Sequence, residues 1–417
     1  MKITMISNYI NHHQIPFSDA LYNRLGNDYH FIQTEKMEQK RIDMGWEVNP
    51  DDYPYVILSY QSVEEARKAI NESDVLLVGW LEDESIIADR LRNGKLVLRI
   101  SERLYREGQW KFLSPKGLIK KYKEHISLNK YPVYLLCNGA YVASDYNLIH
   151  AYSGKKYKLG YFPKARIYED YSKLAGKKAS LNIIKVDSAD ELPEEPPVLT
   201  DNEVQIVWAG RFIELKHPEY MVRLAADLVN KGYRFHIHMI GSGVMEEELK
   251  ALAADELLED YITFHGSLLP EDVRDIMETC HIQLFTSNFL EGWGAVVNEG
   301  MNAGLTVIAN EEVGAAPFLV ENGVNGLMYK EGRYESMLAK VVSILENPKL
   351  IDEYGRAAYE TITSEWNAEE ASNRVIEFCE GWIKGTLPVY ESGPLSIAGN
   401  LKPRFFASGT IIGMKTS

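Results

Sequence analysis

The chain has 417 residues and a formal net charge of −15, with 45% hydrophobic and 25% charged residues. These are the proportions of a globular protein long enough for two or three separately cored domains, which excludes collagen-like and wholly disordered classes. Three widely spaced cysteines, Cys137, Cys280 and Cys379, exclude a disulfide framework and a cysteine metal site, and predict reduced thiols in a cytoplasm.

The chain opens on Met1-Lys2-Ile3-Thr4-Met5-Ile6, too short an apolar run for a secretory leader, which reads as a first strand. No later run approaches the length of a membrane span. Strand-like runs follow at 29–34, 55–60, 74–80, 95–101, 134–139 and 158–163. Helical patterns fall between them at 15–26, 62–72, 83–93, 115–126 and 140–152. Such alternation predicts a parallel sheet covered by helices. The charge is uneven: residues 1–185 carry +6, the remainder −21, and the stretch 99–185 carries +12. Within that stretch, Trp110-Lys111-Phe112-Leu113 and Leu118-Ile119-Lys120-Lys121-Tyr122-Lys123 mix lysines with apolar residues. The mixture fits peripheral contact with an anionic membrane, or a solvated basic face. No nucleic-acid motif accompanies the charge.

An acidic, proline-rich run, Asp187 to Pro197, predicts a linker over 186–203. Alternation then resumes. Strands are expected at 204–210, 234–241, 261–266, 282–287 and 305–310. Helices are expected at 217–231, 244–257, 270–280, 294–303, 314–322, 333–346 and 349–364. Arg211, Gly241, Gly266, Ser287 and Asn310 fall at strand carboxyl ends, where doubly wound sheets bind their ligands. From residue 386 the tail shows no periodicity and carries no assigned role.

The most informative segment is Glu291-Gly292-Trp293-Gly294-Ala295-Val296-Val297-Asn298-Glu299, at an expected strand-to-helix turn. Its glycines allow backbone amides close to a ligand, and the helix start favours an anion. Carboxylates flanking such a site suit hydroxyl donors better than phosphate. Phosphate beside hydroxyl-rich groups describes a nucleotide sugar.

Together with Gly210-Arg211…Lys216, Met239-Ile240-Gly241-Ser242-Gly243, His265-Gly266-Ser267 and Asn322-Gly323-Val324-Asn325-Gly326, this segment resembles family 4 of the retaining glycosyltransferases, of the bacterial polysaccharide and glycolipid type. The motifs cover roughly residues 204–330. The resemblance implies the GT-B fold, an α/β architecture of two Rossmann-like doubly wound domains facing a central cleft. The expected division is an acceptor domain 1–185, a nucleotide-sugar domain 204–365, and a helix 366–385 that crosses back to the first domain. The tail is 386–417.

By the same resemblance, Glu299 binds the ribose hydroxyls and Glu291 contacts the donor sugar. Amides of Gly292, Trp293, Gly294 and Ala295 hold the sugar or diphosphate, with Gly241 and Ser267 also at the donor. Arg211 and Lys216 supply the positive charge that stabilises the departing diphosphate, since no Asp-x-Asp occurs in the chain. No metal and no cofactor are therefore expected; the nucleotide sugar is a co-substrate. Many family members carry a glycine pair after the first strand and a histidine after a later one. Here those places read Asn8-Tyr9-Ile10-Asn11-His12-His13 and Ser101-Glu102-Arg103, so His13 or Glu102 takes the histidine's role. The expected function is transfer of a sugar to a lipid-linked or cell-surface glycan, in the cytoplasm or at the inner membrane face. A nucleotide-sugar epimerase of the same architecture and a non-catalytic partner subunit are the alternatives.

Overall fold

The structure, a computed structural model, describes residues 1–42, 48–178 and 203–403. The expected linker, apart from Glu203, and the end of the tail beyond residue 403 lie outside the described residues. By contacts between Cα atoms the chain forms two units, Met1–Lys164 with the residues from Trp366 on, and Ala165–Glu365.

The first unit holds a seven-stranded sheet. Its strands are β1 (Ile3–Ser7), β2 (Tyr29–Gln33), β3 (Val56–Leu58), β4 (Val75–Val78), β5 (Leu96–Ser101), β6 (Val133–Asn138) and β7 (Lys156–Leu159). The order is β3-β2-β1-β4-β5-β6-β7, and the strand pairs are parallel. Ile6, Ile32, Leu76, Val97 and Leu135 come from five of these strands and meet in one core. Near-continuous apolar strands are what a sheet covered on both faces requires.

The second unit repeats the plan with β8 (Val204–Ala209), β9 (Phe235–Ile240), β10 (Ile262–Gly266), β11 (Ile282–Phe285), β12 (Thr306–Asn310) and β13 (Leu327–Tyr329). The order is β10-β9-β8-β11-β12-β13, again with parallel pairs. This is the strand order of the dinucleotide-binding Rossmann fold. In each unit the order reverses beside the first strand, between β1 and β4 and between β8 and β11. At such a switch point the connections leave in opposite directions and open a crevice at the strand carboxyl ends.

Several elements differ from the sequence expectation for identifiable reasons. The helix expected over 83–93 is two short 3-10 turns, Ser85–Ile87 and Arg90–Arg92. Asp83 accepts hydrogen bonds from the amide and hydroxyl of Ser85, a local bond that competes with helix. The helix expected over 314–322 is one turn, Ala316–Leu319, because Asn325 takes up the Glu321 amide and the Leu319 carbonyl. The last strand of the first sheet starts earlier than 158, at Lys156, where it pairs with Leu135. The three-residue β13 has no strand-length apolar run and was not expected.

The division between units falls at residue 164, ahead of the expected 185. Arg166 pairs with Glu271, Asp275 and Glu278 of the second unit, and Asn302 bonds both the amide and the carbonyl of Arg166. Lys177 also binds Glu278. The basic stretch 99–185 is therefore not one surface, since its last part is neutralised by acids of the second unit.

The helix Ala368–Lys384 belongs to the first unit, where Phe378 packs edge-on against Tyr134 and Tyr157. The tail continues along the sheet edge. Leu395 and Ala398 donate to the Lys158 and Lys156 carbonyls, and Lys158 donates to Ser396. This antiparallel segment covers the free edge of β7, which otherwise presents unpaired backbone groups.

Candidate active site

The second sheet's switch point is built from the loops after β8 and β11. The loop after β8 carries Arg211 and Lys216, and the loop after β11 carries Ser287 to Ala295. The two loops are tied together. Thr286 donates its hydroxyl to the Lys216 carbonyl at 2.6 Å and accepts the Trp208 indole N–H at 2.7 Å. The Asn288 amide donates to the Leu215 carbonyl at 2.9 Å. These bonds bring Lys216 to Glu291, 75 positions away, and the ammonium donates to the carboxylate at 2.5 Å. Both side chains are largely buried, 13% and 17% exposed, so water screens the pair poorly. The Lys216 ammonium also lies 5.5 Å from the centre of the Phe285 ring. Arg211 is exposed and has no ion-pair partner among the described residues.

Glu291 precedes the turn, and the helix Val296–Asn302 follows it, with Glu299 about one turn inside. Gly294 sits at φ 90°, and a Cβ there would lie 2.7 Å from the Phe285 ring. Only glycine therefore lets the chain turn this tightly against β11. The Trp293 indole is buried, donates to Asn298 at 2.8 Å and packs against Phe318. Its side chain anchors the turn, so only its backbone is left to face a ligand. The Glu299 carboxyl is held above its ordinary pKa by burial, opposed by the Arg274 guanidinium and reinforced by Glu271. No hydrogen-bond partner for the Glu299 carboxylate exists among the described residues.

Gly241 and Ser267 close the far side. A Cβ on Gly241, at φ 127°, would lie 1.9 Å from the Gly210 carbonyl oxygen, so strands β8 and β9 approach this closely only with glycine here. The Gly241 amide donates to Gly266 at 2.8 Å, and the Ser267 and Ser242 hydroxyls are 2.7 Å apart at the surface.

His13 and Glu102 lie in the first unit, and the structure brings them to one residue. The His13 ring stacks on Tyr161 with centres 5.4 Å apart, and the Tyr161 hydroxyl donates to Glu102 at 3.0 Å. Glu102 is also paired with Arg106. Burial, then the Glu102 charge, push the Tyr161 phenol far above its ordinary pKa.

Sequence reasoning missed Thr286, Asn288 and Arg274. Thr286 and Asn288 fuse the two switch-point loops through backbone groups, for which no motif exists. Arg274 lies on the helix Pro270–Thr279 and reads in sequence as an ordinary helical arginine, yet it is buried and influences Glu299.

Residues 191–361 match the family model described as glycosyl transferases group 1. Among curated relatives, the amylovoran biosynthesis glycosyltransferase AmsK of Erwinia amylovora is 26% identical over 182 residues, 42% of this chain and 44% of that protein. The α-D-kanosaminyltransferase of Streptomyces kanamyceticus is 25% identical over 150 residues, 36% of this chain and 38% of that protein. The chain thus spans less than half the length of these relatives. Two solved structures are similar over nearly the whole chain. The Anabaena protein HepE in complex with UDP gives a TM-score of 0.64 at 13% identity, covering 91% of this chain and 100% of that one. A glycosyltransferase from Rickettsia africae gives 0.62 at 17% identity, covering 92% and 99%. Both units carry the Rossmann-like domains of the GT-B fold. The family match and the relatives support a GT-B glycosyltransferase, and the matched segment contains Arg211, Lys216, Glu291 and Glu299.

Proposed function

We propose that this protein is a retaining, metal-independent glycosyltransferase that moves a sugar from a nucleoside-diphosphate sugar to a lipid-linked or cell-surface glycan. The observation that carries the reading is the largely buried Lys216–Glu291 pair at the second sheet's switch point. It supports the reading because a cation and a carboxylate meet at one crevice, on the loop that leads to Glu299. A departing diphosphate needs positive charge, which Lys216 and Arg211 supply as point charge and planar fork. Glu299 then takes the ribose hydroxyls and Glu291 the sugar hydroxyls. Retention follows from attack on the face the diphosphate leaves, with a phosphate oxygen taking the acceptor proton. Structures of the same fold that hold UDP support a nucleotide donor. Glu102 is already engaged by Arg106 and Tyr161, so His13 is the better candidate for the N-terminal histidine's role.

The deciding experiment is incubation with UDP-, GDP- and ADP-sugars and detection of nucleotide and sugar products. Free nucleotide with transfer is expected. An epimerised nucleotide sugar identifies an epimerase instead, and no turnover of any donor supports a non-catalytic subunit.

A location at an anionic membrane face forms part of the proposal. No helix among the described residues is long and apolar enough to cross a membrane. The helix Pro115–Glu124 buries none of its residues, and Trp110, Leu113, Ile119 and Tyr122 are 58–67% exposed beside its lysines. Apolar side chains at the headgroup boundary and lysines facing anionic lipid fit this surface. Among the described residues Lys120, exposed, and Lys121, half-buried, both pair with Glu124, and the exposed Lys120 pair contributes little. Each lysine near anionic lipid contributes about 1 kcal/mol. Replacing Lys120, Lys121 and Lys123 by glutamate should weaken co-sedimentation with phosphatidylserine vesicles on the order of 100-fold or more at low salt. The loss should shrink at high salt, with nucleotide-sugar binding retained. Equal vesicle binding by triple variant and parent would make this helix an ordinary solvated face.

A further inference from the structure

The first sheet has its own switch point, between β1 and β4, and of the residues at it the reading above uses only His13, on the loop after β1. Its floor is one hydrogen-bonded cluster. The Asn8 amide donates to the Trp80 carbonyl at 2.9 Å, and the Asn8 carbonyl accepts the amides of Thr34 and Glu35 at 2.9 and 2.8 Å. Glu82, two residues beyond Trp80, lies near enough to influence the Glu35 carboxyl electrostatically. Gln33 donates to the Glu35 carbonyl at 2.8 Å. Asn8, Glu35 and Trp80 are thus placed together by backbone bonds from three strand ends, with Glu82 two residues beyond Trp80. A Cβ on Gly79 would meet the Ser7 hydroxyl at 2.6 Å, so the strand end carrying Trp80 is seated tightly against β1.

Within this rigid setting the Trp80 side chain is 60% exposed and has neither a ring contact nor a hydrogen-bond partner among the described residues. A single exposed apolar residue is ordinary. An unpartnered indole at a switch point whose neighbouring strand ends carry Asn8, Glu35 and Glu82 is a specific combination. The indole face suits the C–H face of a pyranose ring, and Glu35, Glu82 and Asn8 suit its hydroxyls. Two adjacent carboxylates repel phosphate and sulfate, so the chemistry selects a neutral sugar.

We propose that Trp80, with Glu35 and Glu82, forms a subsite that binds a neutral pyranose unit of the acceptor glycan. The proposal rests on the glycosyltransferase reading for the word acceptor, while the sugar contact itself is testable without turnover. Burial and the neighbouring Glu82 charge raise the Glu35 pKa, consistent with a carboxylate that gains from a hydroxyl donor.

The test is saturation-transfer NMR on the full chain with maltose, cellobiose, lactose and N,N′-diacetylchitobiose. The parent should transfer saturation to at least one disaccharide through its ring C–H protons. Trp80→Ala should weaken that binding about tenfold or more, as expected for losing an aromatic stacking face. Trp80→Phe should retain most of it. Thermal unfolding of both variants should match the parent because the indole is exposed. No transfer to any of the four sugars, or equal transfer by parent and Trp80→Ala, overturns the subsite. Thermal shifts induced by UDP, GDP and ADP are measured alongside. Absence of a shift with all three from the parent counts against the glycosyltransferase reading, and a shift with any of them together with an unchanged Trp80→Ala sugar signal counts against the subsite alone.

Discussion

Glu299→Ala should abolish detectable nucleotide-sugar binding. Glu299 stands one turn inside the helix that follows the Glu291–Ala295 turn, with no protein hydrogen-bond partner among the described residues. In the proposed complex its two oxygens take two ribose hydroxyls. Hydrogen bonds to charged groups contribute about 1.5–3 kcal/mol each, so losing two weakens binding on the order of 100-fold or more. Calorimetry with the donor that passes the sugar screen measures this directly. Glu291→Ala should instead lower turnover more than affinity, because Glu291 faces the reacting sugar. Unchanged donor affinity in Glu299→Ala would remove Glu299 from the site.

Lys216→Glu should lower turnover by more than Lys216→Ala does. Loss of one fixed donor to developing negative charge costs about 10²–10³ in rate. Reversal adds a carboxylate that repels both the departing diphosphate and Glu291, now its neighbour across a largely buried contact. Removing Lys216 also leaves Glu291 unpaired, which by itself destabilises the loop. Thermal unfolding of both variants separates that effect from the loss of rate. Activity of the purified parent should survive EDTA, since Lys216 and Arg211 occupy the electrostatic role. A strict divalent-metal requirement with a soluble acceptor would refute this mechanism.

Much of the second unit was legible in sequence because its strands are largely buried and read as near-continuous apolar runs. Val204–Ala209, broken by Gln205, and Thr306–Asn310, apolar between its polar ends, are examples. The Glu-x7-Glu segment was legible because a strand, a glycine turn and a helix follow within one short stretch. Elements stabilised by side chain to backbone bonds were not. Asp83 and Asn325 shorten helices that residue periodicity alone extends. The unit boundary was missed because Arg166 and Lys177 look like part of a basic surface until their acidic partners, more than 100 positions away, are placed against them.

By itself the sequence determined the alternation of strands and helices, the second-unit motifs at strand carboxyl ends and the uneven distribution of charge. All of these depend on neighbours in the chain and on hydrophobic period. Only the tertiary structure decided which strands flank β1 and β8, and hence where the two crevices open. It alone paired Lys216 with Glu291, set His13 and Glu102 around Tyr161, and left Trp80 uncovered. Those contacts depend on strand order and on backbone bonds between distant loops, and chain spacing carries no information about either.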